Sequence, residues 1–154
     1  MDLARNLKIE SVSRLHPSPP WHVRPDQTVA EALDLMRSKA QGCVLVCEHK
    51  QLVGIFTERD LIRRVLAPRR PLSTPVSECM TPDPVAVHPT ETIGAAIRHM
   101  EEGGYRHLPV VVDGEAVGML SVKRIVHYLV EHFPGTIYNL PPEPNAVQQE
   151  REGA

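Results

Sequence analysis

The sequence predicts an α/β fold built from two copies of one unit, and three observations support this prediction. Residues 25–66 match residues 89–130 without a gap when the sequence is shifted by 64 positions. In each copy the apolar residues recur at helical spacing, then form two short β-rich runs, and then return to helical spacing. A unit of about 60 residues buries only about 60% of its unfolded-chain surface, so the two copies are expected to pack together.

The matched positions of the two copies keep either the residue or its chemistry. Identical residues are Pro, Thr, Ala, Met, Val, Val and Gly at positions 25, 28, 32, 36, 46, 53 and 54 and at their partners 64 positions later. Other pairs are similar, such as Leu33 with Ile97 and Thr57 with Ser121. The pattern indicates an internal duplication.

The first helix of each copy is predicted to begin after a threonine. Thr28 is placed to cap a helix, and Glu31 three residues later completes the sequence pattern of a capping box. Thr92 takes the same position in the second copy. The apolar stripes that follow have one-face helical spacing, and we interpret their methionines as core residues. The stripes are Val29, Ala32, Leu33 and Met36, and Ile93, Ala96, Ile97 and Met100.

Two β-rich runs follow each first helix and predict a hairpin. The runs are 43–47 and 52–56 in the first copy, and 108–112 and 116–120 in the second. Asp113-Gly114 is a strong hairpin signal, and Glu48-His49-Lys50 has the same place with weaker turn chemistry. A second helix is predicted to begin at Thr57 in one copy and at Ser121 in the other.

These patterns divide the chain into five segments. The repeats occupy 15–67 and 76–133, and the stretch 68–75, rich in proline and arginine, is interpreted as a linker. Residues 1–14 form an N-terminal segment. The tail 134–154 is rich in proline and polar residues and too poor in apolar residues to build its own core, although Ile137, Tyr138 and Leu140 are candidates for docking on the module or on a partner.

Composition excludes several classes of function. No apolar run reaches membrane length, so we expect a cytoplasmic protein without a membrane partner. The net charge of −2 removes the broad attraction that drives non-specific nucleic-acid binding, which is therefore disfavoured. The cysteines and histidines lack zinc-site spacing, and no catalytic constellation is present, so neither a metal site nor an enzyme is predicted. Cys43, Cys47 and Cys79 are interpreted as buried reduced thiols.

One motif resembles a known family. The run Gly54-Ile55-Phe56-Thr57-Glu58-Arg59-Asp60 is similar to the strand-to-helix signature of cystathionine-β-synthase (CBS) repeats, and residues 76–82 resemble the family's usual start of a second repeat. The resemblance covers about 15–133. It implies two CBS repeats, each strand-helix-strand-strand-helix, packed through their sheets with pseudo-two-fold symmetry and with two clefts between them.

Adenosine-containing ligands commonly occupy these clefts in the family. A hydroxyl residue at a helix start offers backbone donors to an anion, and a carboxylate three residues later can accept both hydrogen bonds of a ribose diol. The resemblance therefore implies that Thr57 contacts ribose or phosphate, Asp60 contacts the ribose hydroxyls, and Ile55 contacts an edge of the adenine.

The remaining site residues that the resemblance implies lie in the second repeat and at the helix start. Residues 81–85 would close the base pocket, while Arg106 and His107, with Arg59, would reach the phosphates through charge-assisted bonds. The implied ligand-binding residues are Ile55, Thr57, Arg59, Asp60, Thr81, Pro82, Val85, Arg106, His107 and Pro109.

The second repeat departs from the pattern. Arg124 stands where the ribose-binding aspartate would be, so that site lacks its diol acceptor. We therefore expect one competent and one degenerate cleft.

The resemblance implies a stand-alone regulatory module that binds AMP, ADP or ATP, requires no cofactor and signals to an unknown protein partner. Family members commonly form homodimers, here through parts of the helices at 29–36 and 61–66 and their equivalents. The alternative is a ligand-free dimerisation or protein-interaction module that keeps Thr57 and Asp60 for folding, and a nucleic-acid-binding or metal-binding member is a third hypothesis.

Overall fold

A computed structural model describes residues 2–138, and the predicted α/β fold is confirmed. The α-helices are α1 (Leu3–Ile9), α2 (Val29–Ser38), α3 (Glu58–Asp60), α4 (Ile93–Gly103), α5 (Val122–His132) and α6 (Pro134–Tyr138). The strands are β1 (His22–Val23), β2 (Cys43–Glu48), β3 (Gln51–Thr57), β4 (Thr81–Pro82), β5 (His107–Val112) and β6 (Glu115–Ser121). Short 3₁₀ turns cover Val12–Leu15 and Val76–Glu78. Leu140 of the tail lies outside the described residues.

The two repeats share one architecture. In the described chain β1 to β4 form the sheet of the first repeat and β5 and β6 form the sheet of the second, and the two sheets are joined at one residue pair, Gln51 of β3 with Glu115 of β6. Both hairpin turns have positive φ at their two central residues, His49 and Lys50 in one and Asp113 and Gly114 in the other. This backbone matches the twist of paired strands, so the first hairpin forms even without a glycine.

The helix starts follow their capping residues, with one difference from the sequence. Thr28 Oγ1 accepts from Glu31 N–H at 3.1 Å, but the Glu31 carboxylate accepts from the Gln27 amide instead of closing the predicted capping box. The reciprocal box forms instead at Thr57 and Asp60, because the Asp60 side chain reaches back to the Thr57 N–H.

The helix after Thr57 is wider than a regular α-helix. Residues Leu61–Leu66 form π-helical turns, in which the Ala67 N–H donates to the carbonyl of Ile62 at 2.9 Å. The pattern had predicted an ordinary amphipathic helix. Such π segments frequently occur at functional sites.

Each repeat has its own core, and a third cluster joins them. Phe56 belongs to the core of the first repeat and Leu120 to that of the second, and both are fully buried. Between the sheets lies a cluster whose buried members are Cys43, Leu45, Cys47, Ile55 and Met119. The two repeats therefore pack through their sheets.

The segment before β1 packs on the second repeat. Val12 and Leu15 are buried in the core of the second repeat, and α1 lies against α4. Asn6 donates to the Tyr128 hydroxyl at 3.0 Å in this buried contact. Among residues 2–138, none of the helices has the length and apolar character needed to span a bilayer.

Candidate functional site

A cavity of about 670 Å³ opens where β3 runs into α3, next to β4 and the start of β5. Ligand pockets typically measure about 300 to 1,000 Å³, so the cavity is large enough for a nucleotide-sized molecule. Its lining is Gly42, Ile55, Thr57, Glu58, Arg59, Asp60, Ile62, Arg63, Thr81, Pro82, Asp83, Pro84, Val85, Gly104, Tyr105, Arg106 and His107.

The structure brings nearly all the residues singled out from the sequence to this one cavity. The residues that line it are Ile55, Thr57, Arg59, Asp60, Thr81, Pro82, Val85, Arg106 and His107. Pro109 is absent from the lining, because it is buried within the sheet opposite Met119. The cavity lies at the start of β5, and a residue two positions further along the strand is already inside the packed sheet.

Several lining residues were not anticipated from the sequence. Arg63 lies outside the family motif, although its place four residues after Arg59 is a signal that both share one helix face. Tyr105 directly precedes Arg106 and is 41% exposed at the cavity. The local sequence pattern gives no indication that Gly42 lies at the cavity. This glycine lines the cavity from the position directly before β2.

Asp60 is the most deeply engaged polar residue of the cavity. It is only 5% exposed. Its Oδ2 accepts from Thr57 N–H at 3.0 Å and from Thr57 Oγ1 at 3.1 Å, while Oδ1 accepts from Thr81 Oγ1 at 3.0 Å. Arg64 Nε lies 3.5 Å from the same Oδ1. The carboxylate thus ties the start of α3 to β4.

Close approach of β4 to β3 depends on a glycine. Gly54 pairs with Pro82 and Ile55 pairs with Thr81 across this edge. A Cβ built at Gly54 would collide with the sulfur of Met80, the residue directly before β4. The glycine of the motif therefore lets the second repeat begin beside the cavity.

Charges of both signs meet on the other side of the cavity. A Cβ at Gly42 would lie 3.1 Å from Glu58 Oε1 and 3.5 Å from His107 Cε1, so these two side chains lie against the glycine. Burial lowers the pKa of His107, with the neighbouring Glu58 carboxylate opposing the shift and Arg106 adding to it. His107 is accordingly a neutral imidazole at pH 7 without ligand.

The buried cysteines carry no reactive character. Burial raises the pKa of Cys43 to about 12, and the Glu58 charge adds to the effect. Burial also raises the pKa of Cys47. The thiolate is the nucleophilic form, so these two thiols are inert structural residues. Within residues 2–138, no group of three or more His, Cys, Asp or Glu side chains is arranged to hold a metal ion.

The corresponding positions of the second repeat have different chemistry. Ser121 Oγ caps α5 by accepting from Arg124 N–H at 3.1 Å, so the hydroxyl cap is kept. The carboxylate is replaced by Arg124, and the positions of Arg106 and His107 are taken by Gly42 and Cys43. One competent and one degenerate cleft remains the prediction for this chain.

Comparison with known proteins finds similar sequences. A CBS domain family profile matches two stretches of the chain, residues 12–67 and 76–131. The CBS domain-containing protein YhcV of Bacillus subtilis (strain 168) is 35% identical over 100 residues, which are 65% of this chain and 71% of that protein.

Two similar solved structures contain AMP. The CBS domain protein PAE2072 from Pyrobaculum aerophilum complexed with AMP has a TM-score of 0.70 and 26% identity, and the match covers 79% of this chain and 99% of that chain. CBSX2 in complex with AMP has a TM-score of 0.67 and 26% identity, and the match covers 79% of this chain and 96% of that chain.

Proposed function

The chain belongs to the CBS-domain family, and from this premise we propose that it is a non-catalytic regulatory module that binds an adenosine-containing ligand and signals to a partner protein. The observation that carries the proposal is the convergence of Thr57, Asp60, Arg106 and His107 on one cavity. AMP in the similar solved structures supports the ligand class AMP, ADP or ATP.

In this proposal the ligand spans the cavity from β4 to the start of β5. The base packs against Ile55 and the segment 81–85, the ribose lies at Thr57 and Asp60, and the phosphates extend toward Arg106 and His107. The Oδ1 atom of Asp60 accepts one direct hydrogen bond, from Thr81, beside the longer Arg64 contact. Because a carboxylate oxygen has two lone pairs, a ribose hydroxyl can bind there directly or displace the Thr81 hydroxyl.

A ligand-free module is the second candidate, and a specific observation favours it. The capping box of Thr57 and Asp60 is complete without any ligand, and Asp60 also holds Thr81. The motif therefore has a structural role that is sufficient to explain both residues. In this case the chain acts through protein contacts alone.

Thermal unfolding separates the two candidates. We expect AMP, ADP or ATP to raise the melting temperature, because a ligand at one hundred times its dissociation constant adds about 2.7 kcal/mol to stability. Guanosine nucleotides serve as the matched control for the base, and S-adenosyl methionine tests an adenosine ligand without phosphate. No shift with any adenosine compound at millimolar concentration would contradict the ligand-binding proposal and support the ligand-free module.

Nucleotide affinity is expected to rise as the pH falls through the range in which His107 takes up its proton. The pKa of His107 is lowered in the free protein, and an adjacent phosphate favours the imidazolium, so ligand binding takes up a proton in this range. Isothermal titration calorimetry in buffers of different ionisation enthalpy measures the uptake. His107→Gln should abolish the proton uptake by the protein, so that only proton uptake by the phosphate group itself remains. Identical uptake by both proteins would rule out contact between His107 and phosphate.

We further propose that two copies pair through the helices that follow the motifs. Ile62 and Val126 occupy equivalent positions of the two repeats and are 59% and 49% exposed, so the duplication places a large apolar side chain at the same surface position of both repeats. Val126→Glu is expected to convert a dimer to a monomer in sedimentation equilibrium. Val117→Glu is the control, because Val117 is equally exposed, at 48%, but lies on β6. A wild-type monomer, or equal effects of both variants, would contradict this interface.

A further inference from the structure

Three arginine side chains line the same cavity from two separate elements. Arg59 and Arg63 lie four residues apart on the helix that follows β3, and Arg106 lies directly before β5 in the second repeat. Arg59 lies in α3, and Arg63 lies in the π-helical turns that continue it. The guanidinium groups thus reach the cavity from different points of two elements.

These three guanidinium groups have no partners in the described part of the chain. None of them forms an ion pair or a side-chain hydrogen bond there. The neighbouring Arg64 is different, because it donates to the Met80 carbonyl at 2.6 Å and pairs with Asp60. Arg64 therefore has a structural role, whereas the cavity arginines remain available to a ligand.

The carboxylates of the cavity neutralise this positive charge only in part, because one of them, Asp60, is paired with an arginine outside the lining. Asp60 is compensated by Arg64, which lies outside the lining. Glu58 packs against Gly42 beside His107. Asp83 is exposed and makes no ion pair within residues 2–138. With Asp60 set aside, the positive charges of the lining exceed the negative ones.

The internal duplication provides a comparison within the same chain. The positions equivalent to Arg59, Arg63 and Arg106 are Lys123, His127 and Gly42. All three guanidinium groups are thus lost, because lysine and histidine cannot form a bidentate contact with phosphate and glycine has no side chain. The three arginines are therefore specific to the first cleft and are not a general feature of the repeated unit.

We propose that this cavity selects a nucleoside polyphosphate over a monophosphate, with Arg63 and Arg59 binding the phosphates beyond the first. The inference rests on the proposed function, since Thr57 and Asp60 must hold the ribose for the phosphate chain to run toward the arginines. Guanidinium groups bind phosphate oxygens in pairs of parallel, charge-assisted hydrogen bonds, so each added phosphate finds a preformed partner.

Calorimetric titration of the full chain with AMP, ADP and ATP tests the proposal. We expect affinity to increase with phosphate number, with ATP binding on the order of tenfold more tightly than AMP, as for one additional charge-assisted contact. Arg63→Gln should lose most of this gain for ATP and leave AMP affinity within about twofold, because its contact lies beyond the first phosphate. Arg98→Gln is the control, since Arg98 is exposed on α4 and lies outside the lining.

Two further variants keep the result interpretable. Arg63→Lys retains a positive charge but loses the bidentate geometry, so it should recover only part of the preference. Arg59→Gln provides a second test if Arg63→Gln has an altered melting temperature. Equal affinities for AMP and ATP, or equal losses of both in Arg63→Gln, would overturn the phosphate selectivity while leaving the proposed function intact. No binding of any of the three nucleotides would overturn both.

Discussion

Asp60→Ala is expected to weaken adenine-nucleotide binding by about 1 to 3 kcal/mol, the usual loss for hydrogen bonds to a charged group. The same change should lower the free energy of unfolding by about 0.5 to 2 kcal/mol, because it also removes half of a capping box. The Thr57 N–H and the Thr81 hydroxyl lose their acceptor, and Arg64 loses its ionic partner. Calorimetry measures the first effect, and urea unfolding measures the second.

Ser121→Ala is the matched control for this experiment. Ser121 caps α5 in the second repeat as Thr57 caps α3 in the first, but it does not line the cavity. Its replacement should lower stability by a comparable amount and leave nucleotide affinity unchanged. If loss of stability alone weakened binding, both variants would lose nucleotide affinity to a similar extent. If Asp60→Ala binds nucleotide as tightly as the wild type, Asp60 is a structural residue and the ribose assignment is wrong.

The repeated architecture could be predicted because the determining signals are local. A helix start, an apolar stripe and a hairpin turn each occupy a few adjacent residues, and the duplication presents every signal twice. The role of the first 15 residues could not be predicted this way. Val12 and Leu15 are buried against residues such as Ile93 and Leu108. Contacts across such sequence separation leave no periodic trace in so short a segment.

The site could be predicted in part for a similar reason. The motif from Gly54 to Asp60 fixes a strand end and a helix start, so its residues necessarily lie together. Arg63 joins them through the shared helix face, and Gly42 joins them only because the repeat folds back on itself. The Asp60 carboxylate also accepts a hydrogen bond from Thr81, which lies 21 residues further along the chain. Tertiary packing decides these contacts, and local pattern does not contain them.

Phe56→Ala is expected to produce the largest loss of stability, about 3 to 5 kcal/mol, because truncation of a buried aromatic ring leaves a cavity in the core. Phe56 is fully buried on β3, between two residues of the candidate site, Ile55 and Thr57. A loss of this size is a large fraction of the roughly 5 to 15 kcal/mol that stabilises an ordinary domain. Chemical denaturation followed by circular dichroism provides the measurement.

Leu120→Ala, at the equivalent position of the second repeat, shows whether the two repeats unfold together. Its expected loss is about 2 to 5 kcal/mol, and Leu120 is also fully buried. The cluster between the sheets contains Ile55 from one repeat and Met119 from the other, so the unfolding of either repeat exposes apolar surface of its partner. Both variants should therefore shift one common transition to lower denaturant concentration. Separate transitions, with each variant affecting only its own, would mean that the repeats are independently stable.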